Sequence, residues 1–76
     1  MYIFDQTRSQ IFNMENITSI TLNGSAVNVW TVTGSKGYLG VYDTEERAQE
    51  VFRKLAVDLF PERKSEPTGV YYMPRD

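Results

Sequence analysis

Asp43-Thr44-Glu45-Glu46-Arg47-Ala48-Gln49-Glu50-Val51-Phe52-Arg53-Lys54-Leu55-Ala56-Val57-Asp58-Leu59-Phe60-Pro61 is the stretch on which the fold turns. Ala48, Val51, Phe52, Leu55 and Leu59 recur at the three-and-four spacing that gathers side chains on one side of an α-helix. Asp43 reads as the N-cap, and Glu46, three residues on, completes a capping box. Glu45 and Glu46 put negative charge in the first turn, where the helix dipole favours it. On the outer face Glu46–Glu50 is a like-charge pair, whereas Glu50–Lys54 is favourable and in the better orientation. Phe60-Pro61 stops the element, because a residue before proline is pushed out of the αR region. The spacing predicts one amphipathic helix from about Thr44 to Phe60. Its apolar stripe needs a sheet to cover it.

The residues upstream supply strands. Tyr2–Phe4 is a short β-prone start, Asp5-Gln6-Thr7-Arg8 a polar connection, and Ser9–Asn13 a second short segment carrying Ile11 and Phe12. In Ile17–Leu22 the parity of Ile17 differs from that of Ile20 and Leu22, which predicts a bulge near Thr18–Ser19. Asn23-Gly24 suits a tight hairpin turn of type I′. After it, Val27 and Val29 alternate with Asn28, Trp30 and Val32, so both faces carry apolar groups, as in a central strand. Thr33-Gly34-Ser35-Lys36-Gly37 is a second turn. The strand after it sets Tyr38, Gly40 and Tyr42 on one face and Leu39 and Val41 on the other, with Gly40 marking a bulge or a close backbone approach.

Downstream, Glu62–Thr68 is a charged linker containing Pro67. It leads to Gly69-Val70-Tyr71-Tyr72-Met73-Pro74, an apolar and aromatic ending of a kind that must dock somewhere, on the same sheet or on a neighbouring copy. The expected fold is α+β: an antiparallel β-meander of four or five strands, one amphipathic helix packed on one face and a docked C-terminal tail. Residues 1–76 then form a single small domain, with 61–76 as linker and tail. Its core draws on the helix stripe and on the Val27/Val29 and Leu39/Val41 alternation.

The chain has 76 residues, 41% apolar, 13% aromatic and 24% charged, which is the balance of a folded globule rather than a disordered segment. It contains no cysteine and no histidine, which excludes disulfides, thiolate chemistry and the commonest general base and metal ligand. A net charge of −2 offers no basic field for a phosphate backbone, so nucleic acid is a disfavoured partner. The start, Met1-Tyr2-Ile3-Phe4-Asp5-Gln6, lacks the pattern of a signal peptide, and no apolar run is long enough to span a bilayer. A soluble, cytoplasmic chain is expected, with no membrane partner and with self-association as a source of extra stability.

Leu39-Gly40-Val41-Tyr42-Asp43-Thr44-Glu45-Glu46-Arg47-Ala48, followed by Val51 and Leu55, and the terminal Val70-Tyr71-Tyr72-Met73-Pro74, resemble a group of very small proteins of Gram-positive bacteria and their phages. That group pairs a β-meander with one helix and a short tail, and the likeness spans most of the chain. The resemblance implies an accessory role that includes inhibition of host defence, by binding a protein or by capturing a signalling nucleotide. The group has no assigned catalytic residues to carry across.

Three constellations carry chemistry. Asp43, Glu45, Glu46 and Glu50 cluster at the helix start, but capping and a solvated helix face account for their positions. The many Ser and Thr hydroxyls have no His or Cys beside them, and neither Lys36 nor Lys54 sits in a sequence context that would lower its pKa, so an enzyme is not expected. The Thr33–Gly37 turn lacks P-loop spacing and reads first as a hairpin turn. It nonetheless gathers backbone amides, Ser35, Lys36 and Tyr38, which together suit one phosphate or ribose. Trp30, Tyr38, Tyr42, Tyr71 and Tyr72 read first as core and oligomer interface. The sharper reading makes them a recognition surface that stacks on a base while Arg8, Arg47 or Arg75 meets its phosphate.

The leading expectation is therefore a non-enzymatic homo-oligomer that sequesters a nucleotide-derived signalling molecule between subunits. Its ligand-binding residues would be Arg8, Trp30, Ser35, Lys36, Tyr38, Arg47, Tyr71 and Tyr72, with no cofactor and no metal. The alternative is a protein–protein interaction module or inhibitor that docks on a host or phage protein through its aromatic surface and edge strands. In that alternative, removing Gly69–Asp76 would abolish partner capture and leave the fold intact.

Overall fold

The hairpin expected at Asn23-Gly24 forms, with Asn23 facing Ala26 and Gly24-Ser25 as its two central residues. Gly24 has φ of 62° and Ser25 is not in the positive region. Positive φ at the first central residue alone is the type II′ pattern, not the expected I′, and glycine is the residue that tolerates it there. The flanking strands are β3 (Ile17–Asn23) and β4 (Ala26–Thr31), and β5 (Lys36–Val41) follows β4. These three form one antiparallel sheet in the order β3-β4-β5. The register of β3 shifts between Ile17 and Ser19, where the parity of its apolar residues predicts a bulge.

The computed structural model describes residues 1–59 and 69–76. A second three-stranded sheet joins β1 (Tyr2–Phe4), β2 (Ile11–Asn13) and β6 (Val70–Tyr72) in the order β2-β1-β6, with β6 parallel to β1. The fold is α+β, as expected, but among the described residues six strands in two sheets replace a single meander of four or five. The difference lies in the tail. Its aromatic residues make the last strand of a sheet with the N-terminus, in the same chain.

Helix α1 spans Glu45–Leu59 and buries Ala48, Val51 and Leu55 of the expected stripe. Its cap is Thr44 rather than Asp43, because Thr44 Oγ1 accepts the Arg47 amide at 3.0 Å and the Thr44 carbonyl accepts the Ala48 amide. The capping box drawn from Asp43 to Glu46 is one residue out of phase with that geometry. Along the surface, Arg47 pairs with Glu50 and Lys54 with Asp58, in place of the expected Glu50–Lys54 pair. The expected stop at Phe60-Pro61 and the linker after it lie outside the described residues.

The core joins both sheets and the helix: Ile3, Val27, Val29, Leu39, Tyr42, Ala48, Val51, Leu55 and Met73. Val41 is absent from it and stands 54% exposed, contrary to expectation. The cause is a register shift between Val27↔Gly40 and Asn28↔Tyr38, which leaves Leu39 as an extra residue on β5. Parity changes at that point, so Val41 turns outward and Tyr42 inward. Gly40 does mark a bulge, and the group that approaches it closely is a ring rather than a backbone. A Cβ there would come within 2.7–2.9 Å of Tyr42 ring and hydroxyl atoms. Gly40→Ala is therefore expected to destabilise the protein by about 1–3 kcal/mol through overpacking. The urea midpoint reads this, and an unchanged midpoint would mean that the Tyr42 ring is free to move aside.

Candidate functional site

Cross-strand pairing on the outer face of the β3-β4-β5 sheet assembles the first cluster of nominated residues. Trp30 on β4 faces Lys36 on β5, and Tyr38 shares the Lys36 face two residues on. The Lys36 ammonium lies 5.8 Å from the Trp30 ring centroid and 5.4 Å from that of Tyr38. Both distances are within cation–π range, so one cation serves two rings. Trp30 is 37% exposed and Tyr38 54%, which leaves ring surface open to a ligand.

Asn28 lies between Thr21 and Tyr38 on this same face and is missing from the nominated set. It is only 2% exposed, and its Oδ1 has no hydrogen-bond partner. An unpartnered buried amide oxygen costs about 1–3 kcal/mol, and among the described residues this is the one buried side-chain polar atom left without a partner. The signal was present in the sequence: an amide set among Val27, Val29 and Trp30, where a β-branched residue packs better.

The β4–β5 turn does not present the expected cradle. The Gly34 amide donates to the Thr31 carbonyl, the Ser35 amide to Thr31 Oγ1, and the Thr31 amide to the Ser35 carbonyl. The Ser35 hydroxyl lies 3.4 Å from Thr33 Oγ1. The turn spends these amides on itself, and Gly34 at φ of 90° closes it. Lys36 and Tyr38 are placed as expected; the amide donors are not.

The other nominated residues hold the tail. Arg8 has φ of 66°, an uncommon conformation for a side-chain-bearing residue. It is fixed there by bonds from Nη1 to the Asp5 and Met73 carbonyls and by a position 5.1 Å from the Tyr72 centroid. Tyr72 in turn stacks on Phe4 at 4.9 Å. Asp5 anchors the loop, its carboxylate accepting from the Ser9 and Gln10 amides and the Thr7 and Ser9 hydroxyls. Burial pushes its pKa up, but these hydrogen bonds outweigh it and hold the carboxyl below its ordinary value. Arg47 donates from Nε to the Asp76 carbonyl, and the Tyr71 hydroxyl donates to Asp58 Oδ2. Arg8, Arg47, Tyr71 and Tyr72 therefore do not join Trp30, Lys36 and Tyr38 in one site.

Tyr71 gives a pH prediction. Burial first, then the neighbouring Asp58 charge and the hydrogen bond to it, push its pKa up to about 12. A raised folded-state value means that the contribution is complete below the unfolded value near 10 and is lost as pH rises towards 12. Melting temperature should fall across that window, and Tyr71→Phe should flatten the fall. An equal fall in the variant would assign the loss elsewhere.

The apolar groove was also not foreseen. Its cavity of about 330 Å³ lies between β3 and α1, lined by Ser19, Ile20, Phe52, Leu55 and Ala56. Among the described residues no cluster of three or more acidic groups is arranged to hold a metal ion, and no helix is long and apolar enough to cross a membrane. Comparison with protein-family models, curated proteins and solved structures finds no match for this chain.

Proposed function

We propose that the chain is a non-enzymatic binding protein, acting as a small homo-oligomer, that captures a nucleotide-like molecule on the Trp30–Lys36–Tyr38 face. The observation that carries this reading is the placement of Lys36 over both rings. Exposed rings stack on a base irrespective of its identity, and an ammonium beside them pairs with its phosphate. In this reading the ligand is a signalling nucleotide and the role is evasion of host defence, the setting implied by the resemblance to small phage proteins.

Trp30 is the only tryptophan, so its fluorescence reports the proposed site alone. Titration with a panel of cyclic and linear nucleotides should quench or shift it, and Lys36→Ala and Tyr38→Ala should each remove the response. No response to any member of the panel would refute nucleotide capture and turn attention to a protein partner.

A further inference from the structure

We propose that β3 is the seam of a homodimer, pairing antiparallel with β3 of a second copy to join two sheets into one. This inference does not rest on nucleotide capture.

The four sheet edges are not alike. In the second sheet the edges, β2 and β6, are three residues long. On the free side of β5, Gln6 stands in for a neighbouring strand: its backbone amide donates to the Leu39 carbonyl and its side-chain Oε1 accepts the Val41 amide. β3 is the longest described strand, at seven residues, and among the described residues none hydrogen-bonds along its free side as Gln6 does on β5. Ile17-Thr18-Ser19-Ile20-Thr21-Leu22-Asn23 holds no charge and no proline, two of the devices that keep edge strands from pairing. Only the bulge near Thr18 interrupts it.

The hairpin fixes which groups are free. A two-residue turn is closed by a hydrogen-bonded pair, here Asn23 with Ala26, so Thr21/Asn28 and Ser19/Trp30 are also hydrogen-bonded pairs. The amides and carbonyls of Ile20 and Leu22 therefore point away from β4, along the open edge. Antiparallel pairing centred on Thr21 sets Ile20 against Leu22 of the second copy and Leu22 against its Ile20. Each such pair exchanges both backbone bonds, and the two Thr21 residues meet in the closer, non-hydrogen-bonded position.

The occupant is a second copy because the edge is complementary to itself. With no charge along it, self-pairing brings no like charges together; the two Thr21 side chains meet at the dyad, and Ile20 meets Leu22, apolar against apolar, on either side of it. The half-buried side chains of Ile20 and Leu22 face the core side, next to the groove formed with Phe52, Leu55 and Ala56. Pairing extends that apolar layer across the seam. It also sets two Trp30–Lys36–Tyr38 clusters on one continuous face.

Thr21 is exposed, so a charge there is tolerated by the monomer and meets its own copy only at the dyad. Sedimentation equilibrium of the full chain should show a dimer for the wild type and monomers for Thr21→Lys and Thr21→Glu, all three melting cooperatively. Mixing the two variants should restore a dimer containing one of each. A monomeric wild type at its highest soluble concentration would overturn the proposal, as would a dimer that survives both substitutions or a mixture that stays monomeric. In the first case a strand from a different protein would become the candidate for the edge.

Discussion

A chain ending at residue 68 is expected to show no cooperative unfolding transition. The segment it lacks is structural at every level. Backbone bonds run from the Tyr2 amide to the Gly69 carbonyl and from the Met73 amide to the Phe4 carbonyl, bracketing the parallel pairing of β6 with β1. Met73 is fully buried, in contact with a core that also holds Ile3 and Tyr42. The Tyr42 hydroxyl donates to the Pro74 carbonyl at 2.9 Å, and Arg8 Nη1 to the Met73 carbonyl at 2.6 Å. Emptying a site such as that of Met73 costs about 2–5 kcal/mol on its own. A chain of this length has a total stability of roughly 0.05–0.15 kcal/mol per residue, so the core loss alone consumes a large part of it. Loss of β6 also leaves β1 paired on one side only. Near-ultraviolet circular dichroism on heating reads the result; a sharp transition close to that of the full chain would show the tail to be an appendage. Met73→Ala gives the graded version, with a lowered but still cooperative melt. The expectation that removing Gly69–Asp76 spares the fold is thereby replaced. Loss of partner capture in such a truncation would report unfolding, not recognition.

How far the fold was legible follows from how local each signal is. The helix stripe, the Asn23-Gly24 hairpin and the bulge near Thr18 are written within a few neighbouring residues, and each is present. The pairing of Tyr2–Phe4 with Val70–Tyr72 joins opposite ends of the chain, and no spacing in the sequence expresses it. The outward turn of Val41 depends on one extra residue opposite Val27 and Asn28, a two-strand property invisible to a one-strand alternation. The helix cap moved from Asp43 to Thr44 because two adjacent residues each suit the role, and only the path of the chain out of β5 selects between them. For the site, Trp30, Lys36 and Tyr38 come together because they flank one hairpin. Arg8, Arg47, Tyr71 and Tyr72 were grouped with them by chemical type. They are drawn off by Met73, Asp76, Asp58 and Phe4, partners set by tertiary structure.

Leu55→Ala and Phe52→Ala are expected to part company, although both residues belong to the same helical stripe. Leu55 is 1% exposed and packs in the core between helix and sheets. Its truncation leaves a cavity that rigid neighbours fill only in part, for a loss of about 2–5 kcal/mol. In a domain of this size each kcal/mol lowers the melting temperature by about 4–8 °C, so even the lower figure is a large shift. Phe52 is only half-buried and forms one wall of the groove beside β3. Leu55 lines that groove too but is shut off from solvent, whereas the Phe52 ring is not, so truncating Phe52 gives up less buried surface and the loss of stability in a single copy is smaller. Were β3 the seam between two copies, the same Phe52→Ala change would weaken association more than folding, whereas Leu55→Ala would weaken folding first. Melts of both variants at several protein concentrations separate the two effects. A concentration-dependent deficit belongs to the seam and a concentration-independent one to the core. Equal, concentration-independent deficits would place Phe52 in the core with Leu55 and leave the groove without a role.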